Sequence, residues 1–553
     1  MRYYLIFAVI ALLFFVPFIG NVHLFDWDEI NFAECAREMI ALGDYLKIHM
    51  DFLPFNEKPP LFFWLQALSM HAFGVNEFAA RFPNAICGVL VLVLLFHLGK
   101  LLFDQSMGVI WAMVYFGSIL PHFYFKSGII DPYFNLFIFL GLLYTILFYW
   151  KKYGYSNLPV RSHHYVFLLW GAFFIGLAVL TKGFAAYIIF GLCLAVYWVY
   201  LRFRFYINPF EVFFFTLAVI GVISVWFGTE TYLNGSQFVI DFTVRQWELF
   251  STHDAGFEGF FGYHFVVLLV GCFPASVFAL AELLGKTSCK ENYQENFRLW
   301  MVILLWVVLI LFSIVRTKIV HYSSLAYFPI SFLAALQLRQ MLERRGGLVR
   351  WQGITLRFLA VLLALLPAVL PLAALKVEQL KPLFAADPFA QANLEAQVNW
   401  TGAESLVGLY FVGLMFWAVG AFKYSFWRGL LLMFGGTALF VQLILWFFIA
   451  KIEKYSQNAA VEFAKSLQGK HCYVVTMDYK SYVHHFYTAK QPNAKALYPQ
   501  DWKWATYLLE NKTDRDVYFM AKINTQEKLL NRPNLRKLYE KNGFVFYLKK
   551  AGE

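Results

Sequence analysis

The chain returns again and again to apolar runs close to 20 residues long, and a helix of that length just crosses the hydrocarbon core of a bilayer, roughly 30 Å thick. Such runs lie near residues 3–20, 83–99, 107–121, 129–149, 164–181, 184–201, 210–228, 261–284, 299–315, 323–338, 354–376, 404–422 and 429–450. They predict an α-helical polytopic membrane protein with about 13 transmembrane helices. Only 15% of the residues are charged, against roughly 25% in an ordinary soluble domain, so a water-soluble surface cannot be built from them. The first run, Tyr3 to Gly20, exceeds the usual signal-peptide core of about 7–15 residues and lacks a small-x-small site, so it reads as an uncleaved span.

The formal charge of +11 does not point to nucleic acid, because Lys and Arg are scattered among short loops and not gathered on one soluble face. Read as topology, the same residues place the N-terminus in the cytoplasm. The cytoplasmic loops then hold Lys151, Lys152 and Arg161, then Arg202 and Arg204, then Lys286, Lys290 and Arg298, then Arg339, Arg344, Arg345 and Arg350, and finally Lys423 and Arg428. Three long segments, 21–82, 229–260 and 377–403, fall on the outer side together with the polar tail. The six cysteines show no paired metal spacing, and no repeat relates the two halves, which weighs against a carrier.

Two domains follow: a membrane domain over 1–450 and a small extracytoplasmic α/β domain over 451–553. In the tail, a helical stretch from Glu453 to Leu467 precedes the strand-like runs CYVVTM, DVYFMA and FVFYL, with the helix-like DWKWATYLLE between the first two. Taken alone, it is a lid or docking module.

The first outer segment is too long to be a connector. From Asp28 to Ala41 apolar residues recur near helical spacing, as on an amphipathic helix lying in the membrane interface, and a second such helix starts at Pro59-Pro60 and runs to Phe73. Acids stand at both starts, Asp28 and Glu29 at one and Glu57 with Lys58 at the other, where unpaired N–H groups favour them, so capping alone could account for each.

In order along this segment come Asp28-Glu29, Ala33-Glu34-x-x-Arg37-Glu38-Met39, Glu57-Lys58-Pro59-Pro60, Phe73-Gly74 and Ala79-Ala80-Arg81. Further on come Ile130-Asp131-Pro132, Leu180-Thr181-Lys182-Gly183, the Arg245 to Pro274 stretch, and Lys318-Ile-Val-His-Tyr322 with Pro329. This ordered set resembles the GT-C glycosyltransferases related to protein O-mannosyltransferases and lipid A aminoarabinose transferases, over most of residues 5–450 and only weakly in the tail. The resemblance implies a GT-C fold in a bacterial inner membrane with its active site on the periplasmic side. It implies an inverting hexosyl or pentosyl transferase in which a polyprenyl phosphate carries the sugar and an acceptor hydroxyl attacks the anomeric carbon. The acceptor would be a lipid or glycan, or, in the mannosyltransferase branch, a protein.

An alcohol is a poor nucleophile at neutral pH, so a carboxylate must take its proton as the bond forms. Asp28 is the candidate base, Glu29 its support and Asp131 a second acid. The departing phosphate calls for cations and N–H donors; Lys58, Lys182, Arg245, Lys318 and Tyr322 are the candidates, with Glu57 and His321 beside them. Bland readings stand against these: snorkelling for Lys58 and Lys318, solvation for Arg245, a helix cap for Asp131, a tight turn for Lys182, an interface hydrogen bond for His321. Glu57 and Asp131 could instead share a divalent metal cation. Three departures from the aminoarabinose-transferase pattern leave donor and acceptor open: Asn31-Phe32 where that branch has an arginine and an aromatic, Phe55-Asn56 where it has an aromatic hydroxyl, and Ile319-Val-His321 inside its Lys-x-Pro-x-Tyr. The rival of another class is a lipid or sugar flippase with Asp131 and Lys182 along its path, and an inactive scaffold is a third.

Overall fold

The computed structural model describes residues 1–251, 259–285, 289–494, 496–498 and 501–553. Residues 252–258 of the second outer segment and Lys286 of a basic loop lie outside the described residues. Each apolar run forms helix. Among the described residues seven helices are long and apolar enough to cross a bilayer, or nine if each of two bent pairs is one span, and the chain is an integral membrane protein. The other four runs are the helices Arg2–Phe15, Gln105–Phe116, Ala185–Tyr200 and Tyr327–Glu343, of 14, 12, 16 and 17 residues. The run 261–284 is not the straight span its composition suggested: Tyr263–Gly271 and Ala275–Leu284 meet at 115°. Pro274 stands at the break, where a residue without an N–H costs a new helix nothing. Small residues let neighbours touch, as apolar spans in lipid require; a Cβ on Gly99 would lie 2.7 Å from the Gly108 Cα.

The loops sort to opposite ends of the bundle. At one end Lys152 meets Glu211, Asn157 meets Glu291 and Arg339 meets Asp104. At the other the long segments meet one another and the tail: the Trp226 indole donates to the Leu46 carbonyl, Arg245 pairs with Glu57, and Lys451 donates to the Asn399 carbonyl.

The first long segment is held down by one buried ion pair. Arg81, at the start of the span Glu77–Leu102, makes two hydrogen bonds to Glu29 of helix Asp28–Leu42, at 2.9 and 2.7 Å. Its remaining donors go to the carbonyls of Ile19, Val22 and His23, while the Glu29 carboxylate also accepts from the Phe25 and Gly128 amides. Every charge and donor is matched, which is what makes a buried pair tolerable. Burial pushes the Glu29 carboxyl up, but Arg81 and the amides outweigh it and hold it below the usual glutamate range. The helix itself is buried almost throughout, from Glu29 to Met39, so it is a core element and not the interfacial helix its sequence suggested. The second helix, Leu61–Phe73, packs beside it, and between them the strands β1 (His49–Met50) and β2 (Leu53–Pro54) form a small hairpin.

What covers Asp28–Leu42 is the tail. After the last span ends at Glu453, helix Asn458–Ser466 leads into a sheet of β3 (Tyr473–Met477), β4 (Val517–Lys522), β5 (Arg536–Lys541) and β6 (Phe544–Lys549). The order is β3-β4-β6-β5, with β3 and β4 parallel and the rest antiparallel. Side chains alternate across it: Phe519 and Val545 face helix Asp501–Glu510, whereas Met520 and Phe546 face Phe463 and, in the same buried cluster, Ile30, Ala33 and Ala36. Three of these strands coincide with the strand-like runs; β5, charged and exposed, carries no such pattern. Asp26 pins the contact, accepting from the Ser481 hydroxyl and from the Tyr482 amide at 3.0 Å. Burial raises its carboxyl to about 6 against these bonds.

Two outcomes are expected. Glu29→Gln leaves Arg81 buried without its counter-charge and should cost about 3–5 kcal/mol, read as a lowered melting temperature in detergent; an unchanged melt would remove the pair from its anchoring role. For Asp26 the folded-state value lies above the unfolded one, so protonation favours the docked state and that contribution is lost as pH rises through about 6. Asp26→Asn, which cannot ionise, should gain on wild type by about 3 kcal/mol between pH 4 and pH 7.5. A difference in melting temperature that does not move with pH would contradict this.

Candidate active site

Four helix ends converge beneath the tail. Successive residues of a helix turn by about 100°, so when Glu29 faces inward to Arg81 its neighbour Asp28 faces the other way, into open space, with 45% of its side chain exposed. Two prolines follow Lys58, and the second, Pro60, is already helical at the N-cap of Leu61–Phe73. Asp131 is the first residue of the span Asp131–Lys152, and Lys182 is the last of His164–Lys182, where Gly183 at φ +96° lets the chain turn away. His321 and Tyr322 sit in a short 3-10 helix, Val320–Ala326.

These ends enclose a cavity of about 400 Å³, lined by Asp28, Glu29, Glu57, Lys58, Asp131, Lys182, Arg245, His321 and Tyr322. The His321 Nε2 stands between two carboxylates, 3.5 Å from the Asp28 Oδ2 and 3.7 Å from the Asp131 Oδ2. The other Asp131 oxygen accepts from the Lys182 ammonium at 2.6 Å, and that ammonium lies 4.9 Å from the centre of the Tyr322 ring, a cation–π contact. Across the cavity the Arg245 guanidinium reaches Glu57 at 2.8 Å, and Gln246 donates to the Glu57 carbonyl at 2.9 Å, so helix Gln237–Ser251 clamps the turn that carries Lys58. Burial pushes the Lys58 ammonium below the usual lysine range; Glu57 opposes the shift, and Lys182 and Arg245 add to it.

Nine of the ten residues expected from the sequence therefore share one cavity. The Glu29 carboxylate is taken up by Arg81 and by the Phe25 and Gly128 amides, so it supports Asp28 by fixing the helix that carries it. Lys318 does not line the cavity. Its ammonium donates to the carbonyls of Phe312, Ser313 and Val315 at 2.9, 2.8 and 2.6 Å, capping the C-terminus of helix Asn292–Ile314, where carbonyls lack partners. Of the two carboxylates expected to share a divalent ion, Glu57 faces Arg245 and Asp131 faces Lys182, and among the described residues no three of His, Cys, Asp and Glu are gathered. Trp27, Lys480 and Tyr482 line the cavity without having been singled out. The Trp27 indole donates to the Lys480 carbonyl at 2.9 Å, with the Lys480 ammonium 5.0 Å above its ring. Lys480 and Tyr482 sit in a tail with no motif of its own, so their position follows from docking alone.

Comparison with known proteins gives the same picture. The family model for dolichyl-phosphate-mannose-protein mannosyltransferases matches residues 57–227. An undecaprenyl phosphate-alpha-4-amino-4-deoxy-L-arabinose arabinosyl transferase of Edwardsiella ictaluri is 26% identical over 63% of this chain and 61% of its own length. The protein of the same name from Pectobacterium atrosepticum is 26% identical over 59% of this chain and 57% of its own. The match thus spans about three fifths of these relatives' length. The crystal structure of ArnT from Cupriavidus metallidurans bound to undecaprenyl phosphate superposes with a TM-score of 0.77 at 16% identity, covering 99% of this chain and 98% of that one. The chain is thus similar to the dolichyl-phosphate-mannose-protein mannosyltransferases over residues 57–227 and to the undecaprenyl phosphate-aminoarabinose arabinosyl transferases over about three fifths of its length, and it shares the fold of ArnT from end to end.

Proposed function

We propose that the protein is an inverting glycosyltransferase of a bacterial inner membrane, moving a sugar from a polyprenyl phosphate to a lipid acceptor on the periplasmic side. The observation that carries this reading is a partly exposed carboxylate, Asp28, in the same 400 Å³ cavity as the cations Lys58, Lys182 and Arg245. The relatives' printed names supply the donor class, undecaprenyl phosphate-linked aminoarabinose. The N-terminus is then cytoplasmic, which agrees with the basic loops gathered at the end of the bundle opposite the cavity.

In this reading the acceptor hydroxyl oxygen bonds to the anomeric carbon from the face opposite the phosphate. The carbon–oxygen bond to phosphate breaks, the hydroxyl proton passes to Asp28, and the polyprenyl phosphate leaves with the bonding pair. Asp28 suits the base because among the described residues no lysine or arginine is in ion-pair contact with it, whereas Lys182 contacts Asp131 and Arg81 contacts Glu29. His321, between Asp28 and Asp131, orients the base. Lys182 is held by Asp131 toward the cavity, and with Lys58, Arg245 and the Tyr322 hydroxyl it meets the charge that grows on the phosphate. The tail, through Lys480 and Tyr482, forms the roof that keeps water from competing with the acceptor.

Purified protein is incubated with polyprenyl phosphate sugars and total membrane lipid, and labelled sugar is followed into lipid. Asp28→Asn should lower the rate about 10²–10⁴-fold with donor binding retained. Transfer at the wild-type rate in that variant would remove Asp28 as the base, and no transfer by wild type with any donor would overturn the enzymatic reading. Arg245→Met and Lys58→Met should each weaken polyprenyl phosphate binding about 10–100-fold, the worth of one charge-assisted hydrogen bond. Unchanged binding in both would place the phosphate elsewhere.

A further inference from the structure

The tail carries a second, smaller cavity that the transfer reaction does not use. Its access is set by the strap 478–491: Lys480 and Tyr482 line the active-site cavity, whereas His484, Thr488 and Lys490, a turn or two further along, line a separate space of about 110 Å³. At about 30 Å³ per water that is room for three or so, and hence for one tetrahedral oxyanion. Arg515, Lys470, His471, Gln491 and Asn493 add to its polar lining, and among the described residues no carboxylate lines it.

Two of these groups each bury one nitrogen without a partner among the described residues. Arg515 spends its Nε and Nη2 on Asp514, at 3.1 and 3.0 Å, and its guanidinium lies 4.7 Å from the Tyr473 ring centre, yet its Nη1 is buried and has no hydrogen-bond partner among the described residues. His484 is 2% exposed, and its Nδ1 also lacks a partner among them. Buried polar atoms are nearly always satisfied, and here two residues that line one cavity each keep an unpartnered nitrogen. Lys490, 7% exposed, is fixed by Asp51, while Lys470 and His471 stand exposed at the rim. A carboxylate would be met by the two-pronged edge of an arginine, but Asp514 already occupies that edge here. What remains is the cationic lining that Lys470, Lys490 and Arg515 bring from separate segments, which suits an anion with several oxygens.

We propose that this cavity is a phosphate site, with Arg515 and His484 as its inner wall and Lys470 at its mouth. Its ligand is a phosphate monoester on a lipid headgroup or the free ion, which present the same oxygens. The site does not rest on the transfer reaction, and its test reads binding, not turnover.

Tungstate, a heavy tetrahedral oxyanion, is added to the full-length protein and located by crystallography. Scattering between Arg515 and His484 is expected; scattering confined to the active-site cavity among Lys58 and Lys182 would overturn the proposal. Calorimetric titration with inorganic phosphate should show binding that weakens at least tenfold in Arg515→Gln at an unaltered melting temperature, and binding equal to wild type would also overturn it. If Arg515→Gln does not fold, His484→Asn takes its place in the same titration. Nanodiscs containing phosphatidate or diacylglycerol separate the sources: enrichment of phosphatidate by wild type and not by the variant assigns a lipid headgroup, and binding of inorganic phosphate without such enrichment assigns the free ion.

Discussion

Glu29 and Arg81 meet where four parts of the chain have to be joined without water. The guanidinium gathers the carbonyls at the end of the first span, Ile19, Val22 and His23, while the carboxylate reaches the Gly128 amide before the span Asp131–Lys152. Removing two charges from water is expensive unless each retains full hydrogen bonding, and here both do. The consequence reaches the site: once Glu29 is turned inward, helical geometry turns Asp28 outward, and the segment that follows is delivered over the ends of the spans.

The same economy governs the cavity. In or near lipid a lone charge is costly, and charged side chains persist there in pairs or facing a polar space. Asp131 with Lys182 and Glu57 with Arg245 are such pairs, and each places its cation on the cavity wall. Asp28 stands apart, half exposed, with His321 at 3.5 Å. A cavity with several compensated cations and one open carboxylate is asymmetric in the manner that breaking a sugar–phosphate bond requires: charge is received on one side and a proton on the other.

Much of this was legible along the chain because it is written locally. Asp28-Glu29, Glu57-Lys58, Ile130-Asp131-Pro132 and Lys182-Gly183 lie at helix ends, and ends are where apolar periodicity stops and polar residues begin. Lys318 was misleading for the same reason: a lysine just past a helix answers the unpaired carbonyls of that helix as readily as a phosphate, and the sequence is the same in either case. Glu29 and Asp28 were inseparable as letters, since which of two adjacent acids faces inward depends on the place of Arg81, 52 residues away. The amphipathic pattern of Asp28–Leu42 implied a lipid surface on one side, but the tail covers it, so a partly polar helix became buried on nearly every face.

By itself the sequence determined the solvent, the helical class, the strands β3, β4 and β6 of the tail and most of the charged residues around the cavity, because hydrophobic length, period and helix termini are properties of neighbouring residues. The tertiary structure alone decided which runs cross as long spans and which are short or bent, which charges pair, and that Lys480 and Tyr482 of the tail close the cavity over Asp28. Those depend on contacts between residues hundreds of positions apart, such as Asp26 with Ser481 and Tyr482. No local pattern encodes such contacts, because their energy comes from burying two surfaces against each other.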